Sequence, residues 1–172
     1  MDVLENLTIV IPTYERPLYV SPLADIEDSV KGSRIVVGAG SYIDAFVKIK
    51  AAGGTGDVVI GEQSFINSGC VLYVGNGITI GNNVSIAANC VLAPTNHEFS
   101  SAMILHQRQG FRPSKGGIRI DDDVWIGAGT VILDGANLGK GSVVGAMSLV
   151  RNMTEPYGIY AGNPLVSIGR RS

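Results

Sequence analysis

From Ile60 to Val150 an aliphatic residue returns every six positions. The frames read IGEQSF, INSGCV, LYVGNG, then IGNNVS, IAANCV, LAPTNH, and after a gap IDDDVW, IGAGTV, ILDGAN, LGKGSV, VGAMSL. Each opens on Ile, Leu or Val and puts a small residue at its fifth place. A six-residue period fits neither an α-helix nor a strand-and-turn meander, so it predicts a repeat architecture. Three frames make one triangular coil, and stacked coils make a parallel β-helix, an all-β fold. Within a frame the fifth residue, the sixth and the next aliphatic residue form a short strand. The three residues that follow turn a corner.

The pattern also marks where the coil is interrupted. Residues 1–34 lie outside the repeat and carry an apolar run, Leu7 to Ile11, followed by Pro12, Pro17 and Pro22. They are expected to form a lead-in strand and a cap, since a solenoid must cover its open end. The β-helix is expected over 35–155, imperfect at first and cleanest from Ile60. Residues 98–117, EFSSAMILHQRQGFRPSKGG, break the register after His97 and form a protruding loop. Loops this long in a compact domain usually carry function. A tail over 156–172 leaves the repeat through Pro156.

Composition narrows the partners. The chain has 172 residues, room for one domain with a real core, and only 16% of them are charged. A net charge of -2 gives no electrostatic footprint for nucleic acid. No apolar run approaches a membrane span and no basic-then-apolar export signal is recognisable, so the expected location is the cytoplasm. Cys70 and Cys90 hold the fifth place of equivalent frames in successive coils. They should stack about 4.8 Å apart with both side chains inward, as buried thiols rather than a disulfide.

The frames, the loop after His97, the stretch DDDVWIGAGTVIL at 121–133 and YAGNPL at 160–165 together resemble the hexapeptide-repeat O-acetyltransferases. The likeness covers about residues 60–166 and lies nearest the galactoside and maltose acetyltransferase branch, with its relatives in surface-polysaccharide synthesis. That resemblance implies a left-handed β-helix and a homotrimer with acetyl-CoA sites between subunits, without a metal. It also implies an acceptor that is a saccharide or saccharide-like molecule. His97 matches the family's general base and Asn67 its polar acceptor-site residue. Trp125 falls beside the cofactor arm. Asn163, Pro164 and Arg170 match tail elements near the adenine and 3′-phosphate, and Arg151 is a further phosphate partner. The longer helical N-terminal region of that branch has no counterpart in the 34 leading residues.

The residues themselves support part of this. Taking a proton from a sugar hydroxyl as it attacks a thioester suits a His with a pKa near 6.5. The chain has two His, and by residue type alone His97 is equally a corner residue capping backbone groups. His106 sits in mid-loop as a surface or trimer contact. Let faces A, B and C be those ending at Ile60, Ile66 and Leu72. Asn67 then lies on the B-to-C corner, with Ala87, Gly127 and Gly145 stacked on it, and Phe65 points outward just before it as a lining residue for the acceptor. His97 emerges beyond the C-to-A corner. One face separates the two, on the order of 15 Å, more than a shared reaction centre allows within one subunit. If both act on one substrate, they come from different subunits. Gly127, Ala128, Gly145 and Ala146 make small corners where a pantetheine arm can reach backbone groups, and the Ala128 amide could meet an oxyanion.

Other readings are open or excluded on the residues. An antibiotic O-acetyltransferase, an amino-sugar N-acetyltransferase and a non-catalytic assembly subunit are open. LTIVIPTYERP with Asp121, Asp122 and Asp123 imitates a nucleotide-sugar glycosyltransferase, but the β-helix leaves no room for that domain. A zinc carbonic anhydrase needs three His ligands, one more than the chain has.

Overall fold

The computed structural model describes residues 17–172. Short strands sort into three parallel sheets, one for each face of a left-handed β-helix. Face A holds Ile35–Val37, Val58–Ile60, Ile78–Ile80, Ile118–Ile120, Asn137–Leu138 and Met153–Thr154. Face B runs Tyr19–Val20, Tyr42–Ile43, Phe65–Ile66, Ser85–Ile86, Trp125–Ile126, Val143–Val144 and Gly158–Ala161. Face C runs Asp25–Ile26, Lys48–Lys50, Val71–Tyr73, Val91–Ala93, Val131–Leu133 and Leu149–Val150.

The frame register sets the inside. Ile60, Ile66, Leu72, Ile80, Ile86, Leu92, Ile120, Ile126 and Ile132 all point into one column and are at most 1% exposed. Burying an aliphatic side chain so fully stabilises by roughly 2 kcal/mol, so the column dominates folding. Cys70 and Cys90 stack in the same interior as free, buried thiols. Many corners pass through a left-handed residue, at Gln63, Asn83, Asn89, Asp123 and Met147 as well as at Gly69 and Gly129.

Two boundaries differ from the sequence expectation. Coil strands begin at Tyr19 and Asp25, inside the segment expected to be a cap, and pair with Tyr42 and Lys48 of the next coil. That coil escapes the frame count because Pro17 and Pro22 interrupt it, and at the open end its apolar residues Leu18, Val20, Leu23 and Ile26 are left exposed. At the other end, Gly158–Ala161 adds a parallel strand to face B, and Val166–Arg170 turns back antiparallel to close its edge. The expected tail is thus partly coil. The lead-in run Leu7 to Ile11 lies outside the described residues.

Candidate active site

The register places the predicted residues in two groups. Phe65, Ser85, Trp125 and Val143 stack outward on face B, and the residues after the next aliphatic position form the B-to-C corner. There the amides of Asn67, Ala87, Gly127 and Gly145 each donate to the coil above, at 3.0, 2.9, 2.7 and 2.8 Å. The corner is tightly stacked: a Cβ on Gly127 would strike the Ala146 amide nitrogen, and one on Gly145 would press the Ala161 methyl. Asn67 spends its side-chain NH2 on the Ile86 carbonyl at 2.8 Å. Trp125 is 55% exposed. Phe65 ends an aromatic ladder, with Tyr42 at 6.3 Å and Tyr19 a further 4.6 Å along.

The second group lies on face C and its far corner. His97 is exposed at the point where the loop leaves, bridged to Phe111 on the returning strand with ring centroids 4.6 Å apart. Its imidazole makes no hydrogen bond among the described residues, and the residue helps line the space beside it. That space is a cavity of about 360 Å³ lined by Gly53, Tyr73, Ala93, Thr95, His97 and Phe111, together with Ala52. Ala93 and Thr95 also line a larger hollow of about 510 Å³ that runs past Lys115 and Leu133 to Arg151. Arg151 in turn shares a smaller one, about 140 Å³, with Asn163 and Pro164. A groove therefore follows the outside of face C from His97 to the C-terminal turn.

The loop is held by its own polar groups. Glu98 does not turn toward His97; its Oε1 accepts the amides of Phe99 at 2.8 Å and Ser100 at 2.9 Å. Those two bonds, with Arg112 at 3.5 Å, hold the carboxyl below the usual glutamate range. Arg112 lies over the Phe99 ring at 4.1 Å. Gln109 ties Ser101 and Ile104 together around a short 3-10 turn, His106–Arg108, which leaves His106 on the surface.

The groove thus joins His97, Arg151, Asn163 and Pro164, while Asn67, Phe65, Trp125 and the Gly127 and Gly145 corners stand on the other side of face C. Arg170 does not join the groove: it lies on the antiparallel edge strand of face B, opposite Gly158. Its neighbour Arg171 pairs with Asp123 at 3.0 Å. Asp121 pairs with Arg119 at 2.9 Å and Asp122 accepts the Asn82 amide at 2.8 Å, so all three acids of the DDD run have structural duties. Among the described residues no cluster of His, Cys, Asp and Glu could hold a metal. No helix among them is long and apolar enough to cross a membrane. Tyr73, Thr95 and Phe111 were missed by sequence reasoning. Tyr73 was reachable, since strand alternation sends it outward on face C; Phe111 was not, because the loop has no register.

Comparison with known proteins agrees with this architecture. Residues 117–152 match the bacterial transferase hexapeptide (six repeats) model, and residues 57–94 match the hexapeptide repeat of succinyl-transferase. A chloramphenicol acetyltransferase of Agrobacterium fabrum is 29% identical over 156 residues, covering 85% of this chain and 72% of that protein. A Schizosaccharomyces pombe relative that carries an acetyltransferase name is 32% identical over 114 residues, 63% of this chain. The chain spans only 50% of that relative's length. Among solved structures, AntD, an N-acyltransferase from Bacillus cereus in complex with dTDP and 3-hydroxybutyryl-CoA, superposes with a TM-score of 0.75 at 27% identity. It covers 90% of this chain and 80% of its own.

Proposed function

We propose that this chain, a hexapeptide-repeat acyltransferase by its repeats, its fold and its relatives, moves an acetyl group from acetyl-CoA to a saccharide-type acceptor. The observation that carries the reading is the groove on face C with an unpaired imidazole at its mouth. Arg151, Asn163 and Pro164 at its far end suit the phosphate and adenine portion of CoA. Small corners at Gly127, Ala128, Gly145 and Ala146, brought to the groove by a neighbouring copy, suit a pantetheine arm, and Trp125 of that copy a flanking wall.

His97 takes the proton of an acceptor hydroxyl as its oxygen attacks the thioester carbonyl. The tetrahedral oxyanion collapses, the acyl–oxygen bond stays, and the CoA thiolate leaves with the proton returned from the imidazolium. Asn67 and Phe65 address the acceptor. Because they are separated from His97 by face C, they serve this reaction from a neighbouring copy, and the resemblance to the hexapeptide-repeat acetyltransferases makes that assembly a homotrimer with sites between subunits. Arg170 keeps a role toward phosphate only if the neighbouring copy supplies it.

A second reading has a specific observation behind it. The likeness to AntD, named an N-acyltransferase and also solved with dTDP-4-amino-4,6-dideoxyglucose, extends over about nine tenths of this chain, which favours an amine on a nucleotide-linked sugar as acceptor. Thiol release from acetyl-CoA, with wild-type and His97→Ala protein against sugars, nucleotide-linked amino sugars and hydroxylated antibiotics, tests both. An alkali-labile product marks an ester and a stable one an amide. If no acceptor drives thiol release and calorimetry shows no CoA binding, the transferase reading fails.

A further inference from the structure

The A-to-B and B-to-C corners share one backbone design, and they differ in what happens to one amide per turn. At both, buried side chains inside the coil take corner carbonyls inward. On the A-to-B corner Ser41 Oγ donates to the Gly61 carbonyl at 2.7 Å and Ser64 Oγ to the Gly81 carbonyl at 2.9 Å. On the B-to-C corner Cys70 Sγ reaches the Ala87 carbonyl at 3.1 Å and Cys90 Sγ the Gly127 carbonyl at 3.3 Å. The series continues with Thr130 Oγ1 at 3.2 Å and Ser148 Oγ at 2.7 Å, both on the Gly145 carbonyl.

A trans peptide is planar, with its C=O and N–H pointing opposite ways. A carbonyl drawn into the core therefore aims the next residue's amide outward. On the A-to-B corner those amides are consumed: Glu62 donates to Asn82 Oδ1 at 2.7 Å, and Asn82 to Asp122 Oδ1 at 2.8 Å. On the B-to-C corner the same places hold Ala88, Ala128 and Ala146, which offer no side-chain acceptor to the coil below. Their amides have no partner among the described residues, although their carbonyls or neighbours are bonded: Gly129 donates to the Ala88 carbonyl and Met147 to that of Ala128. The first corner uses these donors at the Glu62 and Asn82 rungs, and the second keeps a row of donors about 4.8 Å apart.

Resting on the acyl-transfer reading, we propose that Cys90 is a positioning residue for that reaction, with Cys70, Thr130 and Ser148 doing the same on adjacent rungs. Its thiol holds the 127–128 peptide so that the Ala128 amide faces the developing oxyanion, while Ala88 and Ala146 address the carbonyl oxygens of the pantetheine arm. A thiol is a weak donor, so its worth here is geometric. It also explains why a slot filled by valine at Val47 on this corner and at Val84 and Val124 on the other is polar at every rung from Cys70 to Ser148.

Alanine-labelled protein read by amide NMR, together with acetyl-CoA kinetics, tests this. CoA should shift the Ala88, Ala128 and Ala146 amides in wild type. Cys90→Val should fold, lose the Ala128 response and drop kcat roughly tenfold with KM for acetyl-CoA little changed, about a tenth of the smaller losses seen when an oxyanion donor is removed outright. Cys90→Ser should restore both, and Ser64→Ala, the matched lesion on the A-to-B corner, should move neither. Should Cys90→Val melt at assay temperature, Thr130→Val combined with Ser148→Ala asks the same question at Ala146, through KM. An unchanged Ala128 response and kcat in Cys90→Val overturns the positioning role while leaving the transferase intact. Wild-type protein that neither binds nor consumes acetyl-CoA overturns both.

Discussion

From Val58 to Val150 nearly every rung of the coil sends a fully buried Ile, Leu or Val inward, whereas the excursion buries no residue between Glu98 and Gly116. The wall is held by area removed from water, a term that needs no direction. The loop is held by directed bonds: Glu98 on two amides, Gln109 on three backbone groups, Arg112 over Phe99. His97 stands where the two regimes meet, its backbone leaving the coil and its ring packed on Phe111. Stability and chemistry are thus assigned to different parts of the chain, and substitutions should separate them.

The largest separation is expected at His97. With no hydrogen bond tying its ring to the described fold, His97→Ala should cost little stability. It should lower kcat by about a thousandfold, or about 4 kcal/mol of activation energy, within the usual range for losing a general base. A thermal melt beside the turnover assay checks this; a large fall in melting temperature would mean that the residue is structural. Leu92→Ala is the converse. Leu92 is wholly buried beneath the face that carries the groove, and its loss should cost about 3 kcal/mol of stability, measured by denaturant unfolding. Folded protein should keep its turnover.

The same divide decides what could be read from sequence. The hexad predicts the inward column, the pairing of equivalent frames and the stacking of Asn67, Ala87, Gly127 and Gly145, because each depends only on counting from one aliphatic residue to the next. It misplaces the ends. Around Tyr19 and Asp25 the coil closes over a first rung whose fit is set by Lys50 bridging Asp25 at 2.9 Å and Glu27 at 2.6 Å, and ion pairs leave no periodic trace. The loop is opaque for the same reason. Nothing in EFSSAMILHQRQGFRPSKGG announces that Phe111 returns to His97 or that Glu98 turns away from it.

A smaller effect should appear within the loop. Gln109→Ala removes bonds to the Ser101 amide, the Ser101 carbonyl and the Ile104 carbonyl, which together order the exposed Met103, Ile104 and Leu105. Loop order should weaken by about 1 kcal/mol, the net worth of one or two exposed hydrogen bonds, with the global melt unmoved. Limited proteolysis at Met103 to Leu105 reads this directly. A drop in the melt as large as that of Leu92→Ala would erase the distinction between wall and loop.

The smallest effect comes from acid. Amide bonds from Ser100 and Phe99 hold Glu98 below its ordinary value of 4.5, so its contribution is present above that pH and is lost as pH falls through the depressed folded value. Asp25 and Glu27 on the wall are lowered too, by Lys50, so acid loosens the first rung as well and a simple pH titration confounds the two. Glu98→Gln separates them. It retains a side-chain oxygen for the Phe99 and Ser100 amides but cannot gain a proton, so their protection, exchange taken relative to the intrinsic rate at each pH, should become independent of pH while that of the first rung still falls in acid. If protection at Phe99 and Ser100 still falls in acid, the loop is tied to the wall's own titration, and the two regions are less independent than their contacts indicate.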